Sequence, residues 1–305
     1  MRHSVLLTAA AGALLVSTSL AGCATQYQNA DPAPPAAPGP PPGSGEPAPV
    51  PITTNPGPYR ATGTVLESPE HGPMLCMTVA TSYPPQCGDL ELVGWDWDLV
   101  DDEASVSGTT WGGPYEVVGT WDGERLTLTE PPRPPTSEAT PSPDFFTPCP
   151  EPPGGWTVVD PAKTTYATME AVISAARARP DFAGAWLDQP MDKSRPAPSA
   201  YTDPTNVIVN IRVTGDVAQA EQELRQIWGG ALCVSAAARS QAELLAIQNE
   251  IFAHATAIKM LHGGIDETTG VYNLGVVIDD GTLQAYYDER YGPGVVKVTS
   301  WLQPV

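Results

Sequence analysis

Short alternating runs of apolar and polar residues fill one stretch of this chain, and longer runs at helical spacing fill another. Between residues 59 and 130 the alternation predicts strands at Ala61–Leu66, Met74–Val79, Leu92–Trp97, Thr109–Trp111, Tyr115–Trp121 and Arg125–Thr129. Asp122-Gly123, between two such runs, is a hairpin signal. Five or six strands in about 70 residues predict a small all-β domain, a barrel or sandwich, with the oligonucleotide/oligosaccharide-binding (OB) barrel as one form.

The pattern changes after residue 155. A helix is expected near Thr168–Arg179 and an extended piece at Phe182–Leu187. A β-branched run, Asn206–Val213, precedes a helix that Asp216 caps, with Gln219 three residues on and Val217, Ala220, Leu224 and Ile227 along one face. Gly229-Gly230 ends it, and Ala231–Ser235 returns as a strand. The order repeats as strand Val271–Ile278, a helix from Asp280 and strand Val295–Trp301. An aromatic residue, a glycine turn and a strand ending in Ser recur in both halves, at Trp228 to Ser235 and Tyr291 to Ser300. Two β-α-β units in tandem predict a ferredoxin-like α+β domain, a four-stranded sheet with helices on one face. An extra long helix is expected between them, from Ser240 to about His262, capped by Ser240 with Glu243 and striped by Leu244, Ile247, Ile251, Ala255 and Ile258.

Proline divides the chain. Of 35 prolines, twelve lie at 32–58 and ten at 131–153. The expected organisation is a leader at 1–22, a Pro-rich stalk at 23–58, the β domain at 59–130, a Pro-rich linker at 131–154 and the α+β domain at 155–305. The stalk has too little apolar mass to offset its ordering entropy, and such chain favours extended polyproline II.

The first residues set the expected location. Arg2 and His3 precede an apolar stretch from Val5 to Leu20, too short to span a bilayer, which ends in Leu20-Ala21-Gly22-Cys23. This resembles the bacterial lipoprotein signal, and the resemblance implies lipidation of Cys23, cleavage before it and an extracytoplasmic protein held to the cell membrane by acyl chains. The whole chain is similar to lipoproteins of actinobacterial type, a resemblance that implies no particular activity. Cys76, Cys87, Cys149 and Cys233 are an even set, which in an exported chain reads as disulfides. Three connectivities are open, and Cys76–Cys87 with Cys149–Cys233 is favoured.

The net charge of −20 disfavours nucleic acid and an electrostatic grip on anionic lipid. Trp95-Asp96-Trp97-Asp98 is the candidate ligand surface, with Trp111 nearby. Strand alternation would put both Trp on one face and both Asp on the other. Inward packing of the Trp pair is the plain reading. An aromatic platform for a sugar or peptide, and a calcium site from Asp96, Asp98, Asp101, Asp102 and Glu103, are the alternatives. Asp101 and Ser107 stand where an EF-hand needs Gly and Glu.

Phe182-Ala183-Gly184-Ala185-Trp186-Leu187-Asp188 with Asn206-Val207-Ile208-Val209-Asn210-Ile211 resembles the pro-regions of secreted bacterial trypsin-like proteases. That resemblance implies a ferredoxin-like module and a role as folding aid or inhibitor; no protease sequence follows Val305 here, and no functional residue carries over. His71, His254 and His262 are not spaced to share a metal, and the sequence contains no nucleophile elbow, H-E-x-x-H, phosphate loop or dinucleotide fingerprint. No catalytic residue, metal or cofactor is expected. The expected function is a non-enzymatic binding module for an envelope protein or glycan. The alternatives are a chaperone or inhibitor of a secreted protease, and an enzyme acting on cell-wall polymer through Asp96 and Asp98.

Overall fold

The computed structural model describes residues 57–136, 146–188 and 203–305. The leader, Cys23 and the stalk up to residue 56 lie outside the described residues. The chain is α+β, as the patterning predicts. Strands β1 (Tyr59–Ser68), β2 (His71–Cys76), β3 (Leu90–Val93), β4 (Ala104–Val106), β5 (Thr109–Trp121) and β6 (Arg125–Leu128) build the first part. Its pairings run β1-β2-β3-β6-β5 and close through β1–β5, making a five-stranded barrel with β4 as an added edge. Tyr59, Ala61, Gly63 and Val65 alternate inward along β1. A Cβ at Gly63 would lie 2.5 Å from the Cys76 carbonyl oxygen, so the close approach of β1 to β2 requires glycine there.

Several barrel elements differ from their sequence reading: the run expected at Met74–Val79 ends at Cys76, and β4 lies where no strand is expected. The two runs at Thr109–Trp111 and Tyr115–Trp121 are one strand, because Gly112-Gly113-Pro114 lets β5 shift register and continue. The run expected at Leu92–Trp97 stops at Val93, because Gly94 turns the chain at φ 84°.

The barrel interior is completed from the far end of the chain. Val277, Ile278 and Leu302 join Val65, Leu75, Leu126 and the other barrel residues in one cluster, and Leu261 and Trp301 pack against it. The final strand β13 (Gln303–Pro304) pairs with β1. The first part and the last are therefore two topological regions sharing a core rather than two independent domains.

The remainder is a tandem repeat. Helix α1 (Tyr166–Arg177), strands β7 (Phe182–Asp188) and β8 (Ile208–Val213), helix α2 (Val217–Arg225) and strand β9 (Ala231–Ala236) form the first module. Helix α3 (Gln241–Phe252), strands β10 (Met260–Asp266) and β11 (Val271–Val276), helix α4 (Thr282–Tyr291) and strand β12 (Val296–Ser300) form the second. In each, an antiparallel hairpin is followed by a parallel crossover, giving sheets β7-β8-β9 and β10-β11-β12. Both hairpins slip register at the same place, between Phe182 and Gly184 and between Met260 and His262.

The strands thus pair into two three-stranded sheets and not into the four-stranded sheet expected of a ferredoxin-like domain. The physical reason is that each half gains a strand. Phe182–Asp188 pairs along β8 as an edge strand, and the region expected to continue the long helix is β10. Each half then closes its own apolar cluster, around Val209 and Leu224 in one and Leu274 and Leu283 in the other. The helix from Ser240 stops at Phe252. Its stripe continues to the buried Ile258 through successive turns, and Lys259 at φ 49° redirects the chain into β10. His254 therefore sits in a turn and His262 on a strand.

The local caps follow the sequence. Ser240 and Glu243 make a full reciprocal box, and Asp216 accepts from the Gln219 amide at 3.0 Å. At α4 the N-cap is Gly281, while Asp279 and Asp280 supply the carboxylates for the first amides. The cysteines pair as Cys76–Cys87 and Cys149–Cys233, with Cα separations of 6.0 and 5.7 Å. The second disulfide holds the end of the Pro-rich linker on the outer face of the first module, where Cys149 and Trp156 pack on Ile208 and Ala231.

Truncation of Leu302 to Ala empties part of the barrel from outside its own sequence. It is expected to cost about 2–5 kcal/mol. Urea unfolding with an unchanged slope and a lower midpoint would show it. An isolated fragment spanning residues 57–136 lacks Val277, Ile278 and Leu302 and is expected to lose a cooperative transition by circular dichroism.

Candidate functional site

The residues singled out from sequence lie at the end of β3 and on β5. After Gly94, Asp96 caps a short 3₁₀ turn, Trp97–Leu99, accepting from the Asp98 amide at 3.0 Å. The alternation of environment persists without a strand: Trp95 and Trp97 are half-buried and Asp96 and Asp98 are exposed. The two indoles meet edge to face with centroids 5.3 Å apart, and Trp95 leans on Tyr115 at 5.3 Å.

Hydrogen bonds fix this cluster. The Trp97 indole N–H donates to Glu67 Oε2 at 2.7 Å. The Tyr115 hydroxyl donates to Asp102. Burial, that hydrogen bond and the negative charges of Asp102 and Glu103 push the Tyr115 phenol well above its ordinary range, so it stays a donor.

Trp111 is not part of that cluster. It pairs with Leu66 across β1–β5, and the inward-facing Val65 next door places this pair on the outside of the barrel. Tyr83 stands edge-on to Trp111 at 5.9 Å and is 78% exposed. The structure therefore brings together Trp95, Trp97, Tyr115, Glu67 and Asp102 as one rim. Trp111 and Tyr83 form a second aromatic contact, while Asp96 is occupied as a cap. Tyr83, Glu67 and Tyr115 carried no local signal, since their partners lie 13 to 30 residues or more away.

The five carboxylates considered for calcium do not assemble: among the described residues no group of three or more His, Cys, Asp or Glu could hold a metal ion. His71, His254 and His262 fall on β2, a turn and β10. Among the described residues, no helix is long and apolar enough to cross a membrane.

One charged side chain has an environment unlike the others. Glu116 on β5 is 3% exposed, the single buried charge among the described residues. Arg133 Nε donates to its Oε1 at 2.8 Å, and Thr136 Oγ1 donates to its Oε2 at 3.0 Å. Backbone bonds in both directions tie Glu116 to Arg133. Burial, the largest influence, pushes this carboxyl up; the bonds from Arg133 and Thr136 and the charges of Arg133 and Arg60 outweigh it and hold it below the ordinary glutamate range. The linker expected to begin at Pro131 is thus clamped to the barrel at its start.

A cleft of about 490 Å³ between β12, β13 and the start of α4 contains Asp279 and Asp280, both already bound to the amides of α4.

No protein-family model matches the chain, and no curated protein sequence does.

Because the folded-state titration of Glu116 lies below its unfolded value, its stabilising contribution is full above the unfolded value, near pH 4.3, and is lost as pH falls through the lower folded one. Glu116→Gln is expected to flatten the acid limb of the stability profile below about pH 4.3 and leave the shape of the neutral region unchanged, as read by urea unfolding at several pH values.

Proposed function

We propose that this chain is a lipid-anchored, extracytoplasmic binding protein, held to the cell membrane through acylated Cys23, that presents the Trp95–Trp97 rim and the neighbouring Trp111–Tyr83 contact to an envelope protein or glycan. The observation that carries the reading is the fixed aromatic rim. The Trp97 indole is locked by Glu67 and the Trp95 indole packs on it and on Tyr115, so the pair loses little freedom on binding, and aromatic side chains of this kind dominate recognition surfaces. Tyr83 and Leu99, at 78% and 55% exposure, extend the apolar surface beside them. The strand order β1-β2-β3-β6-β5 with β3 and β6 parallel supports an OB-type barrel, a scaffold that serves as a ligand platform in many unrelated proteins. The acidic fringe of Glu67, Asp96, Asp98 and Asp102 makes neutral or cationic ligands the better match.

Location and recognition are tested separately. Cys23→Ser is expected to move the protein from the membrane fraction to the soluble extracytoplasmic fraction and to abolish incorporation of labelled palmitate; retention in the membrane would refute the anchor. A photo-crosslinker at Tyr83 is expected to give a discrete adduct in intact cells, which Trp97→Ala weakens at least about ten-fold, the scale of one lost aromatic anchor. No adduct, or one indifferent to Trp97→Ala, would refute the rim.

A further inference from the structure

A second surface lies on the outside of the barrel, on the strands β1 and β5 that also carry Glu67 and Tyr115 of the rim, but at other residues of those strands and against the returning C-terminal segment. It is a groove of about 340 Å³ along the outward side of β1, lined by Arg60, Thr62, Glu116, Thr136, Trp301 and Gln303. Alternation places Arg60 and Thr62 outward and exposed while Tyr59, Ala61 and Gly63 point into the barrel. One wall comes from the returning C-terminal segment. Trp301 is pinned by its indole N–H, which donates to the Thr62 carbonyl at 3.0 Å, and it is partly buried against the barrel cluster. Gln303 sits opposite Arg60 in the β1–β13 ladder. Its amide nitrogen donates to the Ser300 carbonyl, which directs the side chain. The other wall is Glu116 with Thr136.

Of the two charges lining this groove, Glu116 has direct partners and Arg60 has none among the described residues. Both oxygens of Glu116 are taken, one by Arg133 and one by Thr136. Arg60 makes no side-chain hydrogen bond or ion pair among the described residues, although it feels the field of Glu116. A guanidinium without a hydrogen-bond partner, beside a fixed indole, leaves its N–H donors open to a ligand. A guanidinium offers two parallel N–H donors, a geometry that matches a carboxylate. Hydroxyls and a planar amide suit vicinal hydroxyl groups, and the indole face suits the C–H face of a pyranose ring.

From this arrangement we propose that the Arg60–Trp301 groove is a binding site for a carboxylated saccharide, with Arg60 holding the carboxylate and Trp301 stacking on the ring. The proposal does not depend on the aromatic rim and stands or falls separately from it.

The test is isothermal titration calorimetry on the mature chain carrying Cys23→Ser. The probes are trigalacturonate, its fully methyl-esterified form, and a triglutamate peptide of equal charge. Trigalacturonate is expected to bind, and more weakly as salt rises. The ester and the peptide are expected to bind at least about ten-fold less tightly, the scale of one charge-assisted hydrogen bond pair or one stacking contact. Arg60→Gln, at an exposed position, is expected to weaken trigalacturonate at least about ten-fold with an unchanged thermal midpoint. Absence of trigalacturonate binding at millimolar concentration would overturn the proposal. So would equal affinity for the ester, equal affinity for triglutamate, or an Arg60→Gln protein that binds as the parent does.

Discussion

The end of the chain is what makes the barrel a closed, filled object. A five-stranded barrel of some 70 residues has a small interior, and small cores seldom bury enough apolar area to offset chain entropy alone. Here Val277, Ile278 and Leu302 enter that interior from a segment more than 150 residues away, and β13 hydrogen-bonds along β1. The second repeat module supplies all of these residues, because β11 runs into Val277 and Ile278 and β12 runs into Trp301 and Leu302. Barrel and second module therefore gain stability together, and the groove at Arg60 exists because Trp301 is held where the two meet.

The two α-β-β-α-β modules solve the same packing problem and differ at their exposed backbone. Each sheet has open edges, which invite pairing with other chains unless they are blocked. On β9, Arg225 donates to the carbonyls of Gly230 and Leu232. On β12, the Gln284 side chain accepts from the Val298 amide and donates to the Val296 carbonyl, imitating a neighbouring strand. On β7, Glu267 from the β10–β11 turn accepts from the Ala185 amide, and Gly184 leaves room for that turn because a Cβ there would meet the Glu267 carbonyl oxygen at 2.5 Å. The outer faces have diverged more. Asn210 lies under the disulfide-pinned linker, whereas Asn273, at the corresponding ladder position, is only half-buried.

What could be read from the sequence was what neighbouring residues decide. Asp122-Gly123 gave its hairpin, Ser240 and Glu243 their cap, and β-branched runs their strands, because each signal acts within a few residues. The cysteine pairing came through because only three connectivities exist and a short loop at Cys76–Cys87 leaves one partner for Cys149. The misread elements are those where tertiary demand overrode pattern. The stripe through Ile258 looked helical because its spacing is helical, yet Leu261 is wanted in the barrel cluster, and only an extended β10 carries the chain there. Of the candidate surface, the indole pair was visible as Trp95 and Trp97. Its support by Glu67, Tyr115 and Asp102, and the whole Arg60–Trp301 groove, depend on residues far apart in the chain.

The pairing of β1 with β13 also puts the entry and exit of the folded body side by side. Tyr59 faces Pro304 across the ladder, and the Val305 amide donates to the Pro58 carbonyl at 3.1 Å. A few residues of glycine and serine would span that gap, so the polypeptide can be rejoined there and reopened at an exposed turn such as Asp122-Gly123 without altering any contact in the interior.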